Sequence, residues 1–184
     1  MPRRSVTIYY LELPGPEAFR PAANRGPELM IMQAKLASPE LSRFLYTAVG
    51  GAWYWVDRLP WDHARWMADV ARPGVETWIA YRDGTPAGYY QLECIGEVVD
   101  ITYFGLMPFM TGLGCGGYLL SCAIERGFAL GAKSITVNTC TLDHEAALAN
   151  YRARGFQLVR EETFDKDLPD TSPGPWPGAF SAPH

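Results

Sequence analysis

Apolar positions along the chain alternate between the two-residue period of strands and the longer period of helices. Residues 6–11, Val-Thr-Ile-Tyr-Tyr-Leu, are β-branched and aromatic and predict a strand, closed by Pro14, Gly15 and Pro16. Residues 20–27 are rich in Pro, Gly and Ala and read as a connector. A second strand is predicted over 28–36, with Leu29, Ile31 and Ala34 apolar. Ser38 then offers an N-cap and Pro39 suits a first helical position, and Leu41, Phe44, Leu45 and Ala48 recur at helical spacing until Gly50-Gly51. Pro60-Trp61-Asp62 opens another helix, running to about Ala71, before Pro73-Gly74. Residues 77–82 and 87–94 flank Asp83-Gly84 as a hairpin, and 98–106 continue as a strand. Leu120, Ile124 and Phe128 mark one stripe of a helix over 118–130, with Gly131 as its stop. A strand over 134–140, a helix over 143–154 ahead of Gly155, and a strand over 156–161 follow. The tail from Leu168 holds five prolines and is expected to be poorly ordered.

Strands interleaved with helices predict an α/β chain of the α+β type: one mixed sheet flanked by helices. Its 184 residues suffice for one domain with a full core. The expected division is a single domain over 1–167, whose residues 1–26 are an extension carrying the extra first strand, then the tail over 168–184. That extra strand is expected to extend a sheet edge or to pair with a second subunit, so a homodimer is an open expectation. A net charge of −4 argues against a general nucleic-acid binder and is compatible with amine substrates. Cys94, Cys115, Cys122 and Cys140 form no C-x-x-C, and His63, His144 and His184 no ligand cluster, so no metal is expected. No apolar run is long enough to span a bilayer and no signal-peptide core is visible. A cytoplasmic address with reduced, buried thiols is the expectation.

The chemistry is concentrated where the strand 98–106 ends. Leu106-Met107-Pro108-Phe109-Met110-Thr111 leads into Gly112, Gly114, Gly116 and Gly117, and a helix follows. Glycines let backbone N–H groups converge on one point, and the helix N-terminus behind them adds free donors and a positive dipole end. Such a loop suits a pyrophosphate. Gly112, Gly114 and Gly117 also fit the G-x-G-x-x-G of a dinucleotide fold. There, however, the first glycine sits at the strand end, whereas here five residues including Pro108 intervene. Val137-Asn138-Thr139-Cys140 also offers no acidic ribose ligand, and the Lys-Ser/Thr of a Walker loop is absent.

The loop resembles the acyl-CoA loop of the GNAT superfamily of N-acyltransferases. Its Val-x-Pro, then Arg/Gln-x-x-Gly-x-Gly/Ala, then Leu-Leu is matched by Leu106-Met107-Pro108, Thr111 to Gly116, and Leu119-Leu120, with Thr111 as the departure. A second stretch, from Leu142 through Asn150-Tyr151 to Gly155-Phe156, is similar to the family's Asn-x-x-Ala-x-x-x-Tyr-x-x-x-Gly-Phe helix, with His144 where Asn is frequent. The resemblance implies a mostly antiparallel twisted sheet of about six to seven strands with about four helices. It implies acetyl-CoA as cosubstrate, with no metal, and a small-molecule or peptide amine as acceptor. It places backbone groups of Leu106 and Met107 on the pantetheine. Gly112, Leu113, Gly114, Cys115, Gly116, Gly117, Tyr118 and Asn150 would contact the rest of CoA.

Acyl transfer to an amine needs a proton taken from the nitrogen and one given to the leaving thiolate. The resemblance makes Tyr151 the acid, since a phenol near pKa ~10 keeps its proton at neutral pH. Asp100, at the start of the strand before the loop, is the first candidate base, as some family members carry a Glu there. Glu93 and a water chain are the alternatives. Trp53, Tyr54 and Trp55 lie where the family's first two helices shape the acceptor pocket, and an aromatic wall suits an apolar or cationic acceptor. Asp57 and Asp62 could attract an amine, and the Arg152/Arg154 pair reads as an exposed helix face that could reach the CoA 3′-phosphate. Two rivals remain: an acyl-CoA-binding sensor or partner module without catalysis, and a dinucleotide-binding domain.

Overall fold

The computed structural model describes residues 3–176 and 179. Seven strands form one sheet: β1 (Arg3–Leu13), β2 (Met30–Ala34), β3 (Val75–Arg82), β4 (Thr85–Ile95), β5 (Val98–Leu106), β6 (Ser134–Cys140) and β7 (Gln157–Asp167). Their order is β2-β3-β4-β5-β6-β1-β7. Every neighbouring pair is antiparallel except β5 with β6. The helices are α1 (Pro39–Gly50), α2 (His63–Val70), α3 (Gly116–Ala129) and α4 (Ala147–Ala153). The expected GNAT-like mixed sheet with four helices is what forms.

Local signals explain most boundaries. Ser38 caps α1 by accepting the N–H of Leu41, and Asp62 caps α2 by accepting that of Arg65. The last helix starts four residues later than its apolar pattern predicts. Asp143 turns back to accept the Cys140 N–H, and His144 Nδ1 accepts the Ala146 N–H, so both serve the turn instead of a first helical turn. The extra N-terminal strand is not at an edge of the sheet. It lies between β6 and β7, with Val6, Leu11 and Leu13 buried. β7 is the edge strand on this side of the sheet, β2 being the other edge, and runs six residues beyond its predicted end.

One irregularity in β5 sets the geometry of the site. Gln91 faces Tyr103 and Leu92 faces Ile101, so Thr102 is an extra residue, a β-bulge. The bulge shifts the alternation of faces. Tyr103 packs edge-on to Tyr46 of α1, and a side chain at Gly105 would strike Val49, so this face meets α1 and α2. Phe104 packs edge-on to Tyr151 of α4, and Leu106 lies beside Gly116 of α3. Beyond β7, Leu168 is fully buried and the Asp170 carbonyl accepts bonds from Arg4 and the Tyr54 hydroxyl. Residues 177, 178 and 180–184 of the tail lie outside the described residues.

Candidate active site

β5 and β6 pair only from Val98/Ser134 to Ile101/Val137. Beyond that β5 continues to Leu106, while β6 continues beside β1, with Ile8 opposite Cys140. The two strands therefore part, and a cavity of about 660 Å³ fills the gap. It extends from the glycine loop at Thr111, Gly112, Gly114, Gly116 and Gly117, past Asn150 and Tyr151, to Trp53, Tyr54 and Trp55. Val6 and Ile8 of β1 and Phe164 and Lys166 of β7 line its far wall.

At the loop end, Gly112 and Gly114 hold φ near +81° and +86°, where a side chain would be strained. Nothing lies within 4 Å of the position a Cβ of Gly112 would take. α3 begins at Gly116 with no side-chain cap, so its first N–H groups keep their donor capacity beside the cavity. Asn150 Nδ2 donates to the Gly116 carbonyl at 3.4 Å and ties α4 to this turn. This shape and polarity fit a pyrophosphate. Leu113, Cys115 and Tyr118 do not line the cavity: Leu113 faces outward, and Cys115 is fully buried, with burial pushing its thiol up.

Met107 lies just past the end of β5 and does not line the cavity. Its N–H donates to the Ala87 carbonyl and its C=O accepts the Met110 N–H, both at 2.9 Å, so the N–H is committed and one acceptor site of the C=O is taken. The cause is the turn at Pro108, which closes on Met107. Strand alternation instead turns the backbone groups of Phe104 and Leu106 toward the gap left by β6. Leu106 lines the cavity as expected.

Tyr151 reaches the middle of the cavity from α4, held edge-on by Phe104 and Phe156. Burial, then the nearby Asp143 charge, pushes its phenol well above the usual range, so it stays protonated. Asp100 and Glu93 do not line the cavity. Asp100 lies where β5 and β6 are still paired, and accepts a 2.6 Å bond from Thr136. Burial is the main cause raising its pKa. Glu93 of β4 is the register partner of Asp100 on β5 and is paired with Arg72.

The aromatic wall is organised by a residue that composition and spacing did not single out. Asp143 accepts bonds from Thr139 Oγ1 at 2.7 Å, the Cys140 N–H at 2.9 Å and Trp55 Nε1 at 3.3 Å. An acid just past a strand and ahead of a helix was the available signal, since such residues often close turns. Trp55 also packs against Tyr46 and Tyr103, and burial raises the Tyr46 phenol to about 12. Trp53 meets His144 edge-on with centroids 5.2 Å apart. Because His144 Nδ1 accepts a backbone N–H, its neutral ring carries the proton on Nε2. Asp57 is held by Lys166 at 2.7 Å, and Asp62 serves as the α2 cap.

Among the described residues no group of three or more His, Cys, Asp and Glu could hold a metal ion, and no helix is long and apolar enough to cross a membrane. His184 lies outside the described residues.

The model of the acetyltransferase (GNAT) family matches residues 39–156. No curated protein matches the chain. Similar solved structures include a GNAT-family protein from Novosphingobium aromaticivorans, at 16% identity and TM-score 0.60, covering 87% of this chain and 63% of that one. A GCN5-related N-acetyltransferase from Sphaerobacter thermophilus has 14% identity and TM-score 0.66, over 87% of this chain and 50% of its own. A Bacillus subtilis acetyltransferase in complex with CoA has 22% identity and TM-score 0.54, over 72% and 79%. The chain thus spans 63% and 50% of the length of the first two.

Proposed function

The chain belongs to the acetyltransferase (GNAT) family, and from that premise we propose that it transfers an acetyl group from acetyl-CoA to a primary amine by direct attack in a ternary complex. The observation that carries this reading is the single cavity joining the glycine loop to the aromatic wall, with Tyr151 between them. Transfer of acetyl groups from acetyl-CoA is general for the family. The acceptor and the mechanism below are our reading.

The N–H groups of the loop and of the first turn of α3 would hold the pyrophosphate, and the backbone of Phe104 and Leu106 the pantetheine amides. Acetyl-CoA supplies the acyl group: the C–N bond to the acceptor forms as the C–S bond breaks, one proton leaving nitrogen and one reaching sulfur. Tyr151 holds that second proton at its hydroxyl. The carboxylates that line the cavity are already engaged, Asp143 by three donors and Asp57 by Lys166. The amine proton therefore passes to solvent, as in the water-chain alternative. Trp53, Tyr54, Trp55 and Phe164 would enclose an amine with an apolar or cationic body.

That both cavity carboxylates are engaged, and that His144 Nδ1 already accepts the Ala146 N–H, favours one rival, a non-catalytic acyl-CoA sensor or partner module. An acceptor screen that follows free CoA release, beside a thermal shift with CoA and with NAD, separates the readings. Turnover with any primary amine supports the enzyme. A shift with CoA and no turnover across the panel supports the sensor. A shift with NAD alone sinks both.

A further inference from the structure

The family's loop normally places an Arg or Gln where this chain has Thr111. Another cationic pair stands beside the same turn. Arg154, the residue after α4, lays its guanidinium against the first turn of α3: a Cβ at Gly117 would lie 2.5 Å from Arg154 Nη1. Arg154 Nε is buried and has no hydrogen-bond partner. Arg25 comes from the connector between β1 and β2, and a Cβ at Gly114 would lie 3.4 Å from the Arg25 Cβ.

The connector is fastened at this spot. The Ala22 N–H donates to Ser121 Oγ, which donates to the Gly117 carbonyl, both at 2.9 Å. The Arg20 N–H donates to the Arg154 carbonyl at 3.1 Å. A side chain at Gly26 would strike the Leu113 carbonyl, so the connector lies directly against the glycine loop.

The electrostatics of this arrangement are unfavourable as they stand. Among the described residues, neither Arg25 nor Arg154 forms an ion pair. Arg154 lies against the first turn of α3, the end of a helix that repels cations, and Arg25 lies beside Gly114 just ahead of it. Burial, and then the charge of Arg25, lowers the pKa of Arg154. Neither arginine lines the cavity, but each adjoins a glycine that does, Arg25 at Gly114 and Arg154 at Gly117, so an anion held at the loop would meet their charge.

We propose that Arg25 and Arg154 form a phosphate clamp for the CoA nucleotide, replacing the loop cation that Thr111 lacks. This rests on the acetyl-CoA reading above. The N-terminal extension is then part of the cofactor site, which a loop motif alone does not reveal. The shared chemistry is a phosphate ester of CoA, either the pyrophosphate or the 3′-phosphate.

The test is direct titration of the full chain with CoA, 3′-dephospho-CoA and pantetheine, for the parent, Arg25→Gln, Arg154→Gln and Arg154→Lys. The parent should prefer CoA to pantetheine, and its CoA affinity should fall as salt rises. Each Gln variant should lose about tenfold in CoA affinity, the scale of a charge-assisted hydrogen bond. Pantetheine affinity should not move, and Arg154→Lys should recover part of the loss. A penalty that disappears with dephospho-CoA assigns the pair to the 3′-phosphate, and one that persists assigns it to the pyrophosphate. Arg25 is exposed, so Arg25→Gln keeps the test valid even if Arg154 variants fold poorly. A parent that binds CoA, with Arg25→Gln and folded Arg154→Gln binding it equally well, overturns the clamp alone. A parent that binds no CoA overturns the cofactor reading and the clamp with it.

Discussion

The two ends of the cavity are made in different ways. The glycine-loop end is built from backbone, and its parts are close in sequence: the end of β5, the turn through Gly112 and Gly114, and the start of α3. The aromatic end is built from side chains far apart in sequence. Trp55 is fixed by Asp143, Asp57 by Lys166, and Tyr54 by the Asp170 carbonyl. A backbone site tolerates change in its side chains but not in its shape. A side-chain site can change its ligand with a few substitutions. The first end therefore suits an invariant cosubstrate, and the second an acceptor particular to this chain.

The largest expected effect strikes the backbone end. Gly116 has no positive φ, and a Cβ there would meet only Leu106 Cδ1 at 3.7 Å and Asn150 Nδ2 at 3.9 Å. Gly116→Val should therefore fold, while its branch fills the space before the first turn of α3. CoA affinity should fall by on the order of 10²-fold, the loss of about two charge-assisted hydrogen bonds. Titration with CoA beside a melting curve checks it. A variant that melts normally and binds CoA like the parent would show that the loop does not hold the phosphates.

That contrast also explains what the sequence could show. The loop and the α4 helix were readable because a glycine turn and a Tyr-x-x-x-Gly-Phe helix encode their shape locally. The bulge at Thr102 was not readable, since it exists only in the register of β5 against β4. Nor was the position of β1, which depends on pairing with strands more than a hundred residues away. Asp100 had suitable chemistry and position along its strand. What removed it from the cavity was that β5 and β6 part only after Ile101, a tertiary fact. Lys166 could not be paired with Asp57 from sequence, because β7 was expected to end before it.

The next effect probes the junction of the two ends. Tyr151→Phe removes one hydroxyl and leaves the edge-on contacts with Phe104 and Phe156 in place. If that hydroxyl gives the sulfur its proton, kcat should fall by on the order of 10²-fold. CoA affinity should change little, because a neutral hydrogen bond is worth about 1 kcal/mol net. Measuring kcat and CoA binding on the same preparations decides it. Equal kcat would leave Tyr151 a packing residue and return thiolate protonation to water.

At the aromatic end, Asp143→Ala frees Trp55 and strips the acceptor from Thr139 and the Cys140 N–H. Leaving buried donors unpaired costs about 1–3 kcal/mol each, so the melting temperature should drop. The informative readout is the acceptor KM, which should rise about tenfold, the scale of one lost anchoring interaction. CoA affinity should stay within about twofold of the parent, because the loop lies at the other end. A variant that loses CoA and acceptor together would show that the two ends are coupled through α4.

The smallest effect concerns Asp100, which belongs to neither end. Burial raises its pKa in the folded chain, so between the ordinary carboxylate range and that raised value the folded state binds more protons than the unfolded one. Stability contributed by Asp100 must then fall as pH rises through that window. Below it both states are protonated and no penalty exists. Asp100→Asn keeps an oxygen to accept the Thr136 hydroxyl and cannot ionise. Its melting temperature should match that of the parent in acid and exceed it by a few degrees at neutral pH. The same variant should keep its kcat, since Asp100 does not line the cavity. Loss of kcat with a normal melting curve would restore Asp100 as the base, acting across the paired part of β5 and β6 through water. A parent that gains stability over the variant as pH rises would mean that the Thr136 bond, which lowers the pKa, outweighs burial.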